Sequence, residues 1–288
     1  MCLILFAWKK DQNYPLVLAA NRDEFYERPS APADFWDDAP DLLAGRDLRD
    51  GGTWLGITRG GRVAALTNYR DPTSLKTGAP SRGTLVSDYL RSLAPPGVYL
   101  DRVASEADRF NGFNLLVGDP DALFCFSNRG ARECLQPGIY GLSNRLLDTP
   151  WPKVEKGKRG LKAILHDEKG VTPEALFKLL ADRTPAPDDR LPDTGVGLEW
   201  ERLLSPLFIE SQAYGTRSST VLLIDRNGSV TFIERVFNGA ADPWMTARFA
   251  FQIENGGLSG RRRKGGGIIS FLAVAGALSG FGSPRSSG

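Results

Sequence analysis

The chain has 288 residues, of which 41% are hydrophobic and 24% are charged, and its formal net charge is +2. These values are ordinary for a globular protein, and a chain of this length can bury a large core without disulfides or metal. The stretch 256–288 carries five basic residues and no acidic ones. The first 255 residues are therefore slightly acidic, which argues against a nucleic-acid-binding protein.

Cysteine usage and the start of the chain indicate where the protein works. Cys2, Cys125 and Cys134 form no CxxC pair, and an odd number of cysteines argues against a disulfide scaffold or a zinc motif. The first eight residues are apolar and precede Lys9 and Lys10, which reverses the charge order of a signal peptide. We therefore expect a cytoplasmic protein without a metal site.

The first half of the chain predicts hairpins followed by a helix. Residues 3–8 and 15–20 are almost continuously apolar, as in paired strands that are covered on both faces. The Asp-, Pro- and Arg-rich stretch 21–50 is predicted to be mostly irregular. Residues 53–67 form a second hairpin around Gly60-Gly61, and 81–93 form a helix that Ser81 caps.

The second half continues this pattern. Residues 113–126 predict a strand pair, and 152–165 and 173–182 predict helices, the second with Thr172 as cap and Pro173 in its first turn. A last hairpin over 220–236 turns at Asn227-Gly228. Because hairpins rather than βαβ crossovers join the strands, we predict an α+β fold with antiparallel sheets and helices packed outside them.

The domain is predicted to end near residue 255. The stretch 256–288 is rich in Gly and Arg, and we predict that it is a disordered tail outside the single domain 1–255. Its apolar part, 268–282, is shorter than the roughly 20 residues that a membrane-spanning helix needs. Contact of this tail with a membrane surface is the alternative.

Candidate chemistry centres on Cys2. His166 is the only histidine, and its surroundings are typical of a solvated helix end, so a histidine-dependent triad is not favoured. A thiol can instead be activated by the α-amino group of an N-terminal residue, whose ordinary pKa is near 7.7–8.0. Removal of Met1 would make Cys2 such a residue. The alternative is that Cys2 is merely the first buried residue of a strand.

Polar residues follow the second predicted strand. Asn21, Arg22, Asp23 and Glu24 come directly after its apolar run. Since this strand pairs back against the first, its end is expected to lie near Cys2. An arginine and an aspartate there can orient the thiol and bias its ionisation. A solvated loop is the alternative for this charged run.

Several longer strings carry a resemblance to a known family. In chain order they are MCLILFAW, LAANRDEFYERP, GTWLGI, ALTNYRDP, FNGFNLLVGD, GLSN, LDTPWPKV and YGTRSSTVLLID. With them the chain resembles the NRDE-motif family, also called the transport and Golgi organisation protein 2 family, over roughly four-fifths of its length. The resemblance implies an N-terminal nucleophile hydrolase fold, a four-layer αββα sandwich with two antiparallel sheets.

The resemblance also implies site residues. Penicillin V acylase and bile salt hydrolase relatives use an N-terminal cysteine, an arginine and an aspartate, and asparagines around the substrate carbonyl. By this likeness the catalytic residues are Cys2, Arg22, Asp23, Asn68 and Asn144. In those relatives the arginine and the aspartate stand further apart than Arg22 and Asp23. The residues expected at the substrate are Asn21, Glu24, Trp54 and Arg217. Trp151 is expected as a second aromatic residue of the pocket. Asn114 lies between apolar strand residues and is interpreted as structural.

Two classes of function follow. The first is a cysteine hydrolase or acyltransferase that acts on an amide or thioester of a small, partly apolar substrate and needs no cofactor. The second is a non-catalytic carrier of haem or acyl lipid, because members of the family are linked to haem trafficking and lipid homeostasis. Haem would then be the ligand, held by a cysteine or His166, although no haem motif such as CxxCH is present. A degenerate hydrolase fold used as a scaffold is the third alternative.

Overall fold

The computed structural model describes residues 2–240 and 242–254, and in this part of the chain the strands form two antiparallel sheets. The strands of the first sheet are Cys2–Trp8 (β1), Leu16–Phe25 (β2), Gly138–Leu142 (β10), Tyr214–Ile224 (β11), Ser229–Val236 (β12) and Met245–Gln252 (β13). Those of the second are Ser30–Trp36 (β3), Ala39–Asp47 (β4), Leu55–Thr58 (β5), Val63–Asn68 (β6), Phe113–Gly118 (β7), Leu123–Ser127 (β8) and Arg132–Cys134 (β9). The first sheet has the order β10-β1-β2-β11-β12-β13, and the second keeps chain order from β3 to β9.

Helices cover the outer face of each sheet. The helices are Gly83–Arg91 (α1), Pro96–Glu106 (α2), Pro152–Leu165 (α3), Pro173–Leu180 (α4) and Leu198–Leu203 (α5). Helices α1 and α2 pack on the second sheet, and α3 and α4 pack on the first. A third apolar cluster joins the inner faces of the two sheets. The predicted four-layer αββα architecture is confirmed. Within residues 2–240 and 242–254, no helix has the length and apolarity needed to cross a membrane.

Alternation along β1 explains why this strand is apolar throughout. Ile4 and Phe6 join the core between the sheets, whereas Leu3 and Leu5 join the core under α3 and α4. Every residue of β1 is buried, because one face meets the second sheet and the other meets helices. The predicted covering of both faces is confirmed, and the same alternation decides which residues reach the site.

The prediction for residues 21–50 was wrong. Strand β2 continues through Phe25, and β3 and β4 form a hairpin at the edge of the second sheet. This hairpin buries Ala33 and Leu43, while Asp38 pairs with Arg46 on its exposed side at 2.9 Å. An edge strand tolerates charge and proline, so the polar composition concealed the strands.

Helix ends were predicted with mixed success. Thr172 caps α4, since its Oγ1 accepts a hydrogen bond from the Ala175 N–H at 3.2 Å, and His166 lies at the end of α3, so both predictions are confirmed. Ser81 does not cap α1: Arg82 occupies the cap position, and no side chain caps this end. The predicted tail 256–288 lies outside the described residues.

Candidate functional site

A cavity of about 300 Å³ lies between the two sheets, at the end where β1 begins. Most of its polar lining comes from β2, the β4 region, the approach to α1, and the adjoining parts of β11 and β12. The predicted residues that line it are Cys2, Arg22, Asp23, Glu24, Trp54, Asn68 and Arg217. Seven predicted residues therefore line one cavity, whereas Asn21, Asn144 and Trp151 lie outside its lining.

Cys2 is one of the residues that line this cavity. It is the first residue of β1 and pairs with Arg22 of β2, so both side chains project from the same face of the sheet. Cys2 is 9% exposed, and burial raises the pKa of its thiol, as does the negative charge of Asp23. The Arg22 charge and the Asp23 backbone N–H, which donates to the sulfur, oppose that rise in pKa. The thiol therefore needs a base to ionise near neutral pH.

Arg82 approaches Cys2 from the second sheet. Its Nη1 donates to the Gly112 carbonyl at 3.0 Å. Burial lowers the pKa of Arg82, and a negative charge on Cys2 is the largest influence in the opposite direction. Sequence reasoning missed Arg82, because it lies in a loop that only the packing of the sheets brings to the site.

The loop before α1 approaches the backbone at Gly52 closely. A Cβ at Gly52 would lie 2.5 Å from the carbonyl carbon of Gly83, the residue after Arg82. Because this neighbour is backbone, relieving the clash would require the chain itself to shift. We expect Gly52→Ala to lower the free energy of unfolding by about 1–3 kcal/mol. Urea denaturation of this variant and of Gly97→Ala checks this. Gly97 lies in α2 with its nearest neighbour 4.0 Å away, so its replacement should cause no loss. Equal losses in both variants would contradict the assignment.

Asn68 and Asn144 have different positions. Asn68 ends β6 and lines the cavity, and its side-chain amide makes no hydrogen bond within the described chain. Asn144 is fully buried outside the lining, and its Nδ2 donates to the Asn68 carbonyl at 2.9 Å. The Asn144 carbonyl in turn accepts from the Arg70 N–H at 2.7 Å. Asn144 thus contacts the backbone of Asn68 from outside the lining, and its role at the substrate carbonyl stays a prediction.

Asn21 also differs from its predicted place. Its side chain is fully buried and points away from the cavity, toward the helices. The Asn21 Nδ2 donates to the carbonyls of Leu180 and Leu207, at 3.0 and 2.8 Å. Its Oδ1 accepts from Ser219 Oγ at 2.6 Å. Asn21, predicted to contact substrate, thus fastens β2 to the helical layer and to β11.

Three buried polar residues lie near Cys2, namely Asp23, Thr216 and Lys153. Asp23 accepts a hydrogen bond from Thr216 Oγ1 at 2.8 Å. Burial raises the pKa of Asp23, and the charge of Lys153 opposes this rise. Lys153 is 3% exposed, and burial lowers its pKa to about 8 against the opposing effect of Asp23. Thr216 and Lys153 were not predicted, although both lie in strings that carry the family resemblance.

Arg217 and Glu24 shape the cavity wall. Arg217 Nη1 donates to the carbonyls of Phe25, Tyr26 and Arg28 at 2.9–3.0 Å, which fixes the turn after β2. Glu24 lies 4.0 Å from Arg28. These contacts give Arg217 a structural role in addition to its position at the cavity.

Other predicted residues lie elsewhere. Trp151 is outside the lining and stacks under Arg70, whose guanidinium carbon is 4.7 Å from the ring centroid. His166 is exposed and outside the cavity, with Nδ1 at 2.7 Å from the Lys162 carbonyl.

Asn114 is fully buried, and its Nδ2 donates to Thr67 Oγ1 at 3.0 Å, as its structural interpretation requires. No group of three or more potential metal ligands occurs among residues 2–240 and 242–254.

Comparison with known proteins gives consistent matches. A family model described as Transport and Golgi organisation 2 matches residues 1–239. The Transport and Golgi organization protein 2 homolog of Bos taurus is 39% identical over 278 residues, covering 88% of this chain and 100% of the relative. The Homo sapiens homolog is 36% identical over 277 residues, with the same coverage. The Drosophila melanogaster protein is 32% identical over 288 residues, covering 89% of this chain and 100% of its own.

Solved structures with a related outline are more distant. The Caenorhabditis elegans N-acylethanolamine-hydrolyzing acid amidase ortholog matches with a TM-score of 0.44 and 11% identity, covering 77% of this chain and 92% of its own. The C2A mutant of the conjugated bile acid hydrolase from Clostridium perfringens matches with a TM-score of 0.46 and 9% identity, covering 81% and 88%.

Proposed function

The chain belongs to the Transport and Golgi organisation 2 family, and we propose that in this member Cys2 is the nucleophile of an amide or thioester hydrolase or acyltransferase. The observation that carries the proposal is the position of Cys2, which lines the cavity together with Arg22 and Arg82. Cys125 and Cys134 do not line this cavity.

The first step needs a base, since burial raises the pKa of the Cys2 thiol. We propose that Met1 is removed and that the α-amino group of Cys2 accepts the thiol proton. The sulfur then forms a bond to the substrate carbonyl carbon, and the carbonyl oxygen becomes an oxyanion. We propose that the side-chain amide of Asn68, which lines the cavity, donates to that oxygen.

Collapse of the tetrahedral intermediate breaks the bond to the leaving group. The α-ammonium group returns its proton to the departing nitrogen or sulfur, which leaves an acyl thioester on Cys2. Water or another acceptor then attacks this thioester, loses a proton to the amine and takes the acyl group. The thiol is regenerated when the sulfur leaves and is protonated.

The test is the rate of Cys2 alkylation by iodoacetamide, measured by intact mass and peptide mapping. We expect loss of Met1 and labelling of Cys2 at least tenfold faster than labelling of exposed Cys134, as for a thiolate favoured by a nearby base. Cys125, whose pKa burial raises to about 12, should stay unlabelled. Amides and thioesters are then screened for turnover that Cys2→Ala abolishes.

A matched control keeps the thiol but displaces the amine. Inserting Gly-Ser between Met1 and Cys2 should reduce Cys2 labelling to the rate of Cys134 or below. Retained Met1 in the natural chain, or equally fast labelling with the insertion, would contradict the proposed role of the amine. Turnover that survives Cys2→Ala would contradict the nucleophile itself.

The position of His166 outside the cavity does not support it as a haem ligand there. We also propose a cytoplasmic location, which the three free cysteines support. We propose a small molecule as the substrate, because the cavity that Cys2 lines has a volume of about 300 Å³.

A further inference from the structure

The cavity lining has as many arginines as carboxylates, but not every arginine is paired with a carboxylate. Its lining contains equal numbers of arginines and carboxylates: Arg22, Arg28, Arg46, Arg82 and Arg217, against Asp23, Glu24, Asp47, Asp50 and Glu234. Arg28 is paired with Asp47 and Asp50, at 2.6 and 2.7 Å. Arg46 pairs with Asp38 outside the cavity at 2.9 Å. These pairs neutralise two of the five arginines of the lining.

Arg22 and Arg82 are different. Neither forms an ion pair within residues 2–240 and 242–254, and both lie beside Cys2. Arg217 forms no ion pair there either, but its Nη1 donates to three backbone carbonyls. The Arg22 Nη1 is buried and has no hydrogen-bond partner in this part of the chain. A buried donor without a partner destabilises a protein, so a ligand acceptor at this nitrogen would be stabilising.

The two guanidinium groups reach the cavity from opposite sheets. Arg22 projects from β2 next to Cys2, and Arg82 comes from the loop before α1. Arg82 uses Nη1 on the Gly112 carbonyl, and no other donor of its guanidinium is engaged within the described chain. An anion between the two arginines would therefore receive donors from both sides.

Neighbouring carboxylates limit the charge of that anion. Glu24 lies in the lining near Arg28, and Glu234 is buried, with its Oε1 accepting from the Ala33 N–H at 2.7 Å. Burial raises the pKa of Glu234, and the hydrogen bond from the Ala33 N–H opposes this rise. A single negative charge suits two arginines beside two carboxylates better than a phosphate dianion does.

We infer that Arg22 and Arg82 together bind a carboxylate of the substrate, so that this protein acts on amides or thioesters that carry a carboxylate close to the bond attacked by Cys2. This inference rests on the proposed function for the reaction, but the anion site itself does not require Cys2 to be a nucleophile. The cavity of about 300 Å³ suits a small acylated amino acid or a compound of similar size.

The first arm of the test compares two alkylating reagents of nearly equal size. Iodoacetate carries a carboxylate and iodoacetamide is neutral, and each forms a sulfur–carbon bond with release of iodide. The rate with iodoacetate is divided by the rate with iodoacetamide, first at Cys2 and then at exposed Cys134. The quotient of these two ratios, Cys2 over Cys134, removes the difference in intrinsic reactivity between the two reagents. We expect this quotient to be about tenfold or more at low ionic strength and to fall as salt is added.

Variants connect the preference to the two arginines. Arg22→Gln and Arg82→Gln should each reduce the quotient severalfold. Arg109→Gln, which removes an equal charge at an exposed position, should leave it unchanged. A quotient near one, or an equal reduction by Arg109→Gln, would overturn the inference while leaving Cys2 reactivity intact.

The second arm needs no reaction at Cys2. N-acetylglycine, at millimolar concentration, should raise the Tm of the natural chain and of Cys2→Ala, while its neutral amide should not. The rise should disappear in Arg82→Gln. No rise with N-acetylglycine would overturn the inference, and a larger rise with inorganic phosphate would overturn the choice of a carboxylate. An unreactive Cys2 together with this Tm rise would reject the proposed function alone.

Discussion

Replacing Glu201 by glutamine is expected to lower the free energy of unfolding by about 3–5 kcal/mol. Glu201 Oε2 accepts from Arg70 Nη1 at 2.6 Å, and both side chains are 4% exposed. The glutamine variant keeps the shape but removes the carboxylate charge that the buried Arg70 guanidinium contacts. Urea denaturation at pH 7, followed by far-ultraviolet circular dichroism, measures the loss.

A double variant separates charge from packing. Arg70→Met with Glu201→Leu removes both charges, and it should be more stable than Glu201→Gln alone, since no charge stays uncompensated. Glu201 also accepts from Thr194 N–H at 3.0 Å, so some loss should persist in both. A double variant as unstable as Glu201→Gln would show that packing and the Thr194 contact account for the effect.

The stability of the natural chain should rise with pH above 8 relative to that of Lys153→Met. Burial lowers the pKa of Lys153 to about 8, against 10.5 for an ordinary lysine. Between these two values the unfolded chain binds a proton that the folded chain has released. The free energy of unfolding therefore increases with pH in this window, by up to about 3 kcal/mol across it, and this increase is absent without the lysine.

The measurement is the difference in unfolding free energy between natural chain and variant at pH 7.5, 8.5 and 9.5. Taking the difference removes other titrations in this range, such as that of Cys125, whose pKa burial raises to about 12. Lys178→Met, which removes an exposed lysine of α4, is the control and should follow the natural chain. A difference for Lys153→Met that is constant with pH would contradict the lowered pKa.

The strands with the strongest apolar runs were predictable, because a strand covered on both faces needs apolar residues at every position. The edge hairpin of β3 and β4 was not, since edge strands need only one apolar face. Strand β13 was missed for the same reason, with exposed and half-buried residues alternating along it. The helix α2 was also missed, although Pro96 in its first turn is a helix start signal.

The candidate site was predictable where it lies on strands. Cys2 and Arg22 follow from the pairing of β1 with β2, which sequence order alone suggests. Glu234 carried a signal that went unused: Val230 and Phe232 alternate into the core between the sheets, so a glutamate two residues later lies on the same face. Arg82 carried none, because a loop position does not say which sheet it will meet.

Because side chains alternate between the two faces of β2, substitutions at neighbouring positions of this strand should have different effects. Asn21 fastens the strand to the helices, whereas Arg22, one position later, faces the cavity. An inherited substitution of Asn21 should therefore lower the cellular abundance of the protein. The molecules that do fold should keep normal activity. A change at Arg22 should leave the usual amount of a protein that works poorly. Measuring abundance alone would detect the first and overlook the second.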